Sequence, residues 1–119
     1  MVDRPHPKRG EVWWVKPGKT AGAELQKKRP YVVISADSMG NVPVKIVVPL
    51  KTWQDRFADW DWVVRIEPTQ ANGLERVEAA DVMQVKSFDT GKFLDRQGRL
   101  SAAEMDDITA ALAIVVEYE

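Results

Sequence analysis

The chain predicts a mainly β (α+β) fold: a small barrel-like or twisted antiparallel sheet of about five strands with a C-terminal α-helix packed on it. Three observations predict it. Short β-branched runs recur between clusters of Gly, Pro, Asn and Asp. One segment, Trp60 to Glu67, alternates apolar and polar residues cleanly. The one clear helical periodicity lies near the C-terminal end, behind a capping box. A chain of 119 residues suits a single domain over 1–119, with 1–9 as a loose, Pro-rich arm.

The first strand is expected over Glu11 to Val15, ended by Pro17 and Gly18. The polar run from Gly18 to Arg29 is too long for a tight hairpin and reads as a mobile or functional loop. PYVVIS, residues 30–35, gives a second strand, and Asp37 to Asn41 a turn. In the third strand, Val42 to Leu50, residues Val42, Val44, Ile46 and Val48 share one face, with Lys45 and Val47 on the other. Pro49 has no N–H for a ladder, so that strand is expected to end or reach a sheet edge there. Lys51 to Asp59 is polar, with room for one helical turn. The fourth strand sets Trp60, Trp62, Val64 and Ile66 against Asp61, Arg65 and Glu67; a fifth runs through Ala80 to Phe88. Ser101 and Glu104 form the capping box, and Met105, Ile108, Leu112 and Val115 recur at helical spacing to about Val116.

Composition removes several chemistries. With no cysteine, disulfides, thiolate metal sites and cysteine nucleophiles are excluded, which suits a reducing cytoplasm. The start, MVDRPHPKRGEVWW, has no apolar signal-peptide core, and no stretch approaches the ~20 apolar residues of a membrane span. A soluble, cytoplasmic protein with no membrane partner is expected. The one histidine, His6, lies between two prolines, so a Ser-His-Asp triad or a zinc site lacks its residues. No nucleotide-binding glycine loop is present, and no metal or cofactor is expected. The net charge of −1 is unevenly spread: residues 1–29 hold eight Lys/Arg against three Asp/Glu, and residues 77–119 hold four against nine. A local basic patch attracts phosphate even when the total charge is near zero.

Two stretches remain as candidate sites. One is the loop 18–29, with Glu24, Lys27, Lys28 and Arg29; the other is the corner Pro49-Leu-Lys51-Thr52-Trp53. Arg29 directly precedes the proline that opens a strand, where a guanidinium is anchored on rigid backbone and can grip a phosphate bidentately. Thr52 offers a hydroxyl at a similar rim. Lys27, Lys28 and Lys51 are candidate phosphate contacts, and Trp53 can stack on a base.

RGEVWWV, GAELQKKRPYVVIS, VVPLKTW and NGLERVEAADVMQVKSF, in that order from Arg9 to about Phe88, resemble the MazF/PemK family of toxin ribonucleases. Gly22, Glu24, Arg29 and Pro30 stand at the positions of the family's Gly-x-Glu, basic run and Arg-Pro; Val48, Pro49 and Thr52 meet its Val-Pro-x-x-Thr. The resemblance implies an SH3-like, CcdB/PemK-type barrel and a homodimer that cleaves single-stranded mRNA at short sequences. It also implies inhibition by a cognate antitoxin whose acidic peptide occupies the RNA groove. The family's catalytic Arg and Thr carry over onto Arg29 and Thr52, and its loop carboxylate onto Glu24. Some members use an Asp–Arg pair later in the chain; Asp81, with Arg76 upstream, is no secure match for it.

Metal-free RNA cleavage uses the ribose 2′-hydroxyl as nucleophile and leaves a 2′,3′-cyclic phosphate and a 5′-hydroxyl. It needs a proton acceptor, charge stabilisation on the phosphorane and help for the leaving oxygen. A guanidinium is cationic near neutrality, so Arg29 suits charge stabilisation rather than base work. Thr52 can donate to a phosphate oxygen, and Glu24 is the best carboxylate in these stretches for a base. Two other readings stand beside this one: a CcdB-like inhibitor of DNA gyrase, and a non-catalytic SH3-like binding module. The ending Val-Val-Glu-Tyr-Glu lacks the Trp and Gly of the gyrase contact.

Overall fold

A computed structural model describes residues 5–19, 25–40 and 42–118, with only the backbone described at 19, 25 and 26. It contains nine strands and one α-helix among these residues: β1 Glu11–Val15, β2 Gly18–Lys19, β3 Leu25–Gln26, β4 Arg29–Val33, β5 Val44–Thr52, β6 Val63–Ile66, β7 Glu78–Asp81, β8 Lys86–Asp89, β9 Phe93–Arg99 and α1 Ala102–Val115. Seven strands form an antiparallel sheet in the order β6-β7-β5-β4-β1-β9, with β8 also on β5; β2 and β3 form a separate ribbon. The class is the expected one, with more strands than the sequence predicted.

Each difference has a local cause. The expected fifth strand is two strands, because Val82–Gln84 closes a 3-10 turn between β7 and β8. β9 escaped notice because FLDRQGR is largely polar and exposed, and its pairing with β1 is irregular. β5 does not end at Pro49. It runs nine residues and changes neighbour there: Val44 to Val47 pair with β8, and Leu50 to Thr52 pair with β7. On its other side Pro49 stays in register with Tyr31 of β4. The missing N–H falls where that edge of the strand has no ladder partner, so the proline costs little.

Two apolar clusters hold the sheet. Val12, Val32, Val48, Leu50, Ile66 and Ala80 pack against Met105 and Ile108 of α1. On the opposite face Val15, Tyr31, Val33, Val47 and Phe93 form the second cluster. β4 is buried on both faces, which explains its near-continuous apolar run. Burying each such Val, Leu or Ile stabilises the fold by about 1.5–3 kcal/mol before entropy is counted. α1 begins as the sequence predicts: the Ser101 hydroxyl accepts from the Glu104 N–H, and the Glu104 carboxylate accepts from the Ser101 N–H. Ser101→Ala is expected to lower stability by about 1 kcal/mol in a urea titration.

Arg9, at the end of the expected arm, is tied to the body of the fold. The Arg9 guanidinium donates to the Ile34 carbonyl and to the Thr109 hydroxyl, and the Arg9 N–H to Asp37. No described helix is long and apolar enough to cross a membrane.

Candidate active site

β4, β5 and β7 lie side by side, and the register of each pair fixes what meets at their shared end. Tyr31 lies opposite Pro49, so continuing the ladder brings Arg29 level with Lys51, one residue from Thr52. On the other side Thr52 lies directly opposite Glu78. Thr52 and Glu78 share the sheet face that carries Leu50 and Ala80 into the α1 cluster. Where the apolar packing stops, the strand ends open into a groove of about 670 Å³, lined by Thr52 and Glu78 from this face and by Arg29 and Lys51, which alternate to the other.

The groove is strongly cationic. Lys27, Lys28, Arg29, Lys51 and Arg76 line it, against the carboxylates Glu75 and Glu78. Lys28 sits 5.4 Å from the centre of the Trp14 ring, which also lines the groove. Lys51 is partly engaged, its ammonium 2.7 Å from the buried Asp81 carboxylate and 5.0 Å from the centre of the Phe57 ring. Neither the Arg29 guanidinium nor the Thr52 hydroxyl has an ion pair or side-chain hydrogen bond among the described residues. A groove with this charge, and a guanidinium with no ion pair among the described residues, suits a phosphodiester backbone.

Glu78 is the residue that sequence reading missed. Its side chain is 10 % exposed; Oε1 is 3.7 Å from Arg76 Nε, and Oε2 is buried without a hydrogen-bond partner. Burial pushes its carboxyl up from the ordinary range, and the Arg76 cation beside it pulls part of the way back. The signal lay in VEAADV, where an acid two residues before Ala80 falls on the core face of the strand. Tyr31, under Arg29, shows the same balance: burial pushes its phenol up and the Arg29 charge opposes this.

The groove wall that carries Arg76 and Glu75 is built by a buried asparagine and two glycines. Asn72 is fully buried; its carbonyl oxygen accepts from the Thr69 and Leu74 N–H groups, and its amide donates to the Glu67 carbonyl. Gly73 has φ +69°, and a Cβ there would meet the Gln97 carbonyl oxygen at 2.4 Å. A Cβ on Gly98 would lie 2.4 Å from the Asn72 carbonyl. Loop 67–77 and β9 therefore touch backbone to backbone.

The other expected site residues fall in different places. Lys27 and Lys28 line the groove. Trp53 does not: it packs edge-on against Phe57, with Arg65 over its ring, in an aromatic layer that includes the stacked Trp60 and Trp62. Asp81 pairs with Lys51 rather than with Arg76. Glu24 lies outside the described residues. Among the described residues, no three His, Asp or Glu side chains group as metal ligands.

A family model of PemK-like, MazF-like toxins of type II toxin–antitoxin systems matches residues 8–116. The chain belongs to this family. The toxin is 28% identical over 113 residues to endoribonuclease MazF9 of Mycobacterium tuberculosis (strain ATCC 25618 / H37Rv), covering 90% of this chain and 93% of that protein. Its fold matches a mycobacterial endoribonuclease solved in complex with its cognate antitoxin, with TM-score 0.74 and 18% identity over 96% of this chain and 98% of the other. It also matches MazF from Deinococcus radiodurans, with TM-score 0.71 and 19% identity over 93% and 96%. The toxin's groove carries two of the three residues that the family resemblance singled out, Arg29 and Thr52; the third, Glu24, lies outside the described residues.

Proposed function

We propose that this toxin is an endoribonuclease that cleaves single-stranded mRNA in the cytoplasm without a metal ion, leaving a 2′,3′-cyclic phosphate and a 5′-hydroxyl. One observation carries the reading: Arg29 and Thr52, from different strands, line one cationic groove. A phosphate seated there meets the Arg29 fork and the Thr52 hydroxyl together, and the lysines on the rim hold the flanking backbone. Donors fixed in place before the reaction stabilise the charge that develops on the phosphorane, and such stabilisation commonly contributes more to the rate than any other effect. An antitoxin with an acidic segment would occupy the same groove, because its carboxylates replace the phosphates. A homodimer is part of the reading, supported by Val44 and Ile46, which share one face of β5 and are 40% and 45% exposed.

Purified toxin should cut a mixed-sequence single-stranded RNA in EDTA, with cyclic phosphate ends on the 5′ fragments. Intact RNA after long incubation would overturn the proposal, and lost gyrase supercoiling in parallel would favour the CcdB-like alternative. Thr52→Val removes one hydrogen bond to a charged oxygen, worth about 1.5–3 kcal/mol. The expected loss in single-turnover rate is therefore on the order of 10–100-fold.

A further inference from the structure

Asp81 places a charge where a charge is costly. Its side chain is 7 % exposed at the end of β7, and its ladder partner on β6 is the apolar Val63. Oδ2 lies 2.7 Å from the Lys51 ammonium, and Oδ1 is buried with no hydrogen-bond partner. A buried ion pair with an unsatisfied oxygen is a poor way to stabilise a sheet, because lost hydration offsets the attraction. What the pair does secure is the position of one ammonium. A lysine ammonium has three N–H donors. Lys51 gives one to Asp81, and its nitrogen stands 5.0 Å from the centre of the Phe57 ring. The side chain is still 35 % exposed and lines the groove beside Thr52.

We propose that Lys51 is the general acid of the cleavage reaction, giving a proton to the 5′ oxygen as it leaves, and that Asp81 is its positioning residue. This rests on the ribonuclease reading of the same groove. The 2′ oxygen attacks phosphorus, and its own proton passes to solvent water. The bond from phosphorus to the 5′ oxygen breaks; that oxygen keeps the bonding pair and takes a proton from Lys51 Nζ. Lys51, now a neutral amine, takes a proton back from solvent. No proton is gained or lost over the cycle.

Register and chemistry single this lysine out. Continuing the ladder sets Arg29 level with Lys51 on one side of the sheet, while Thr52 alternates to the other. A phosphate at the strand ends is thus met by a guanidinium and an ammonium from one side and by a hydroxyl from the other. Of the five cations that line the groove, Arg29 and Arg76 are guanidiniums, which hold their protons too tightly to release one. Lys27 and Lys28 are exposed, and neither meets a carboxylate among the described residues. Lys51 is the groove ammonium that a buried carboxylate anchors. An alkoxide is a far stronger base than an amine, so an ammonium held within reach gives up its proton as the bond to phosphorus breaks.

The test compares two substrates that differ in one atom. One is a single-stranded RNA whose cleavage site has been mapped with wild type; the other has sulfur in place of the bridging 5′ oxygen at that site. Sulfur leaves as a thiolate and needs no proton. Single-turnover rates are taken in EDTA on both for wild type, Lys51→Met, Lys51→Arg, Asp81→Asn and Arg29→Ala. On the oxygen substrate Lys51→Met is expected to lose about 10²-fold, the low end of what a positioned acid contributes. On the sulfur substrate it should stay within a few-fold of wild type. Lys51→Arg should keep RNA affinity and its salt dependence, yet show the same substrate-dependent loss. Asp81→Asn should lose a smaller factor, again on the oxygen substrate. Arg29→Ala should lose alike on both, because it acts on the charge of the phosphorane. Partial unfolding also lowers both rates alike, so their ratio within each variant reports the proton transfer alone. Wild-type rates in Lys51→Met, or equal losses on the two substrates, would overturn the acid; equal losses in Asp81→Asn would remove Asp81 as its positioning residue. If Arg29→Ala is slow while Lys51→Met is not, the ribonuclease reading stands although Lys51 is not its acid. A wild type that cuts neither substrate would overturn both.

Discussion

Arg29→Ala is expected to slow RNA cleavage by about 10²–10³-fold at saturating RNA, measured in single turnover so that binding and product release do not contribute. Of the five cations lining the groove, Arg29 stands out because Lys51 is engaged with Asp81 and Lys28 lies over Trp14. In the proposed reaction its loss removes the planar fork that would meet two oxygens of the phosphorane at once. Arg29→Lys keeps the charge but not the fork, and should fall between wild type and alanine. Affinity should fall less than rate, because the other cations keep their phosphates. The salt dependence of binding should weaken by about 0.7 in log–log slope, the value for one lost contact to a single strand. An alanine variant that cleaves at the wild-type rate would remove Arg29 from the mechanism.

The second large effect lies outside the groove. Gly98→Ala places a Cβ 2.4 Å from the Asn72 carbonyl carbon and oxygen and 2.5 Å from the Ala71 carbonyl oxygen. These are backbone atoms, so no rotamer change relieves the overlap, and loop 67–77 must move away from β9. The loop is held by the Asn72 hydrogen bonds and by Gln97, whose amide donates to the Gly73 carbonyl. Overpacking of this kind costs about 1–3 kcal/mol, read as a lower urea midpoint. The same displacement carries Arg76 and Glu75 away from the groove. Cleavage should therefore fall under conditions where the variant is fully folded. Unchanged stability and rate would mean that the loop does not depend on this contact.

The sequence exposed the parts of the fold governed by local rules. β1 is bounded by Pro17 and Gly18, β4 is a β-branched run after Pro30, and α1 announces itself by Ser101 and Glu104. Pro49 misled because a local rule was applied to a strand with neighbours on both sides; which edge lacks a partner is a tertiary fact. The polar β9 was obscured for a similar reason, since its pairing with β1 joins segments far apart in the chain. Arg29 and Thr52 were singled out because Arg29 directly precedes the proline that opens a strand and Thr52 follows Pro49 in an order that resembles one family; the structure brings both to one groove. Glu78 was not, because its burial and missing partner come from Thr52 across the ladder and from a loop docked through Gly73 and Gly98.

β5 joins both halves of the sheet, and this limits where such a chain can change length. One residue inserted between Pro49 and Thr52 would turn the hydroxyl through to the opposite side, away from Glu78, with no local means of repair. Insertions between β2 and β3 would leave that alternation untouched. Drift in length should therefore accumulate at the ribbon, while the nine-residue strand stays fixed in count.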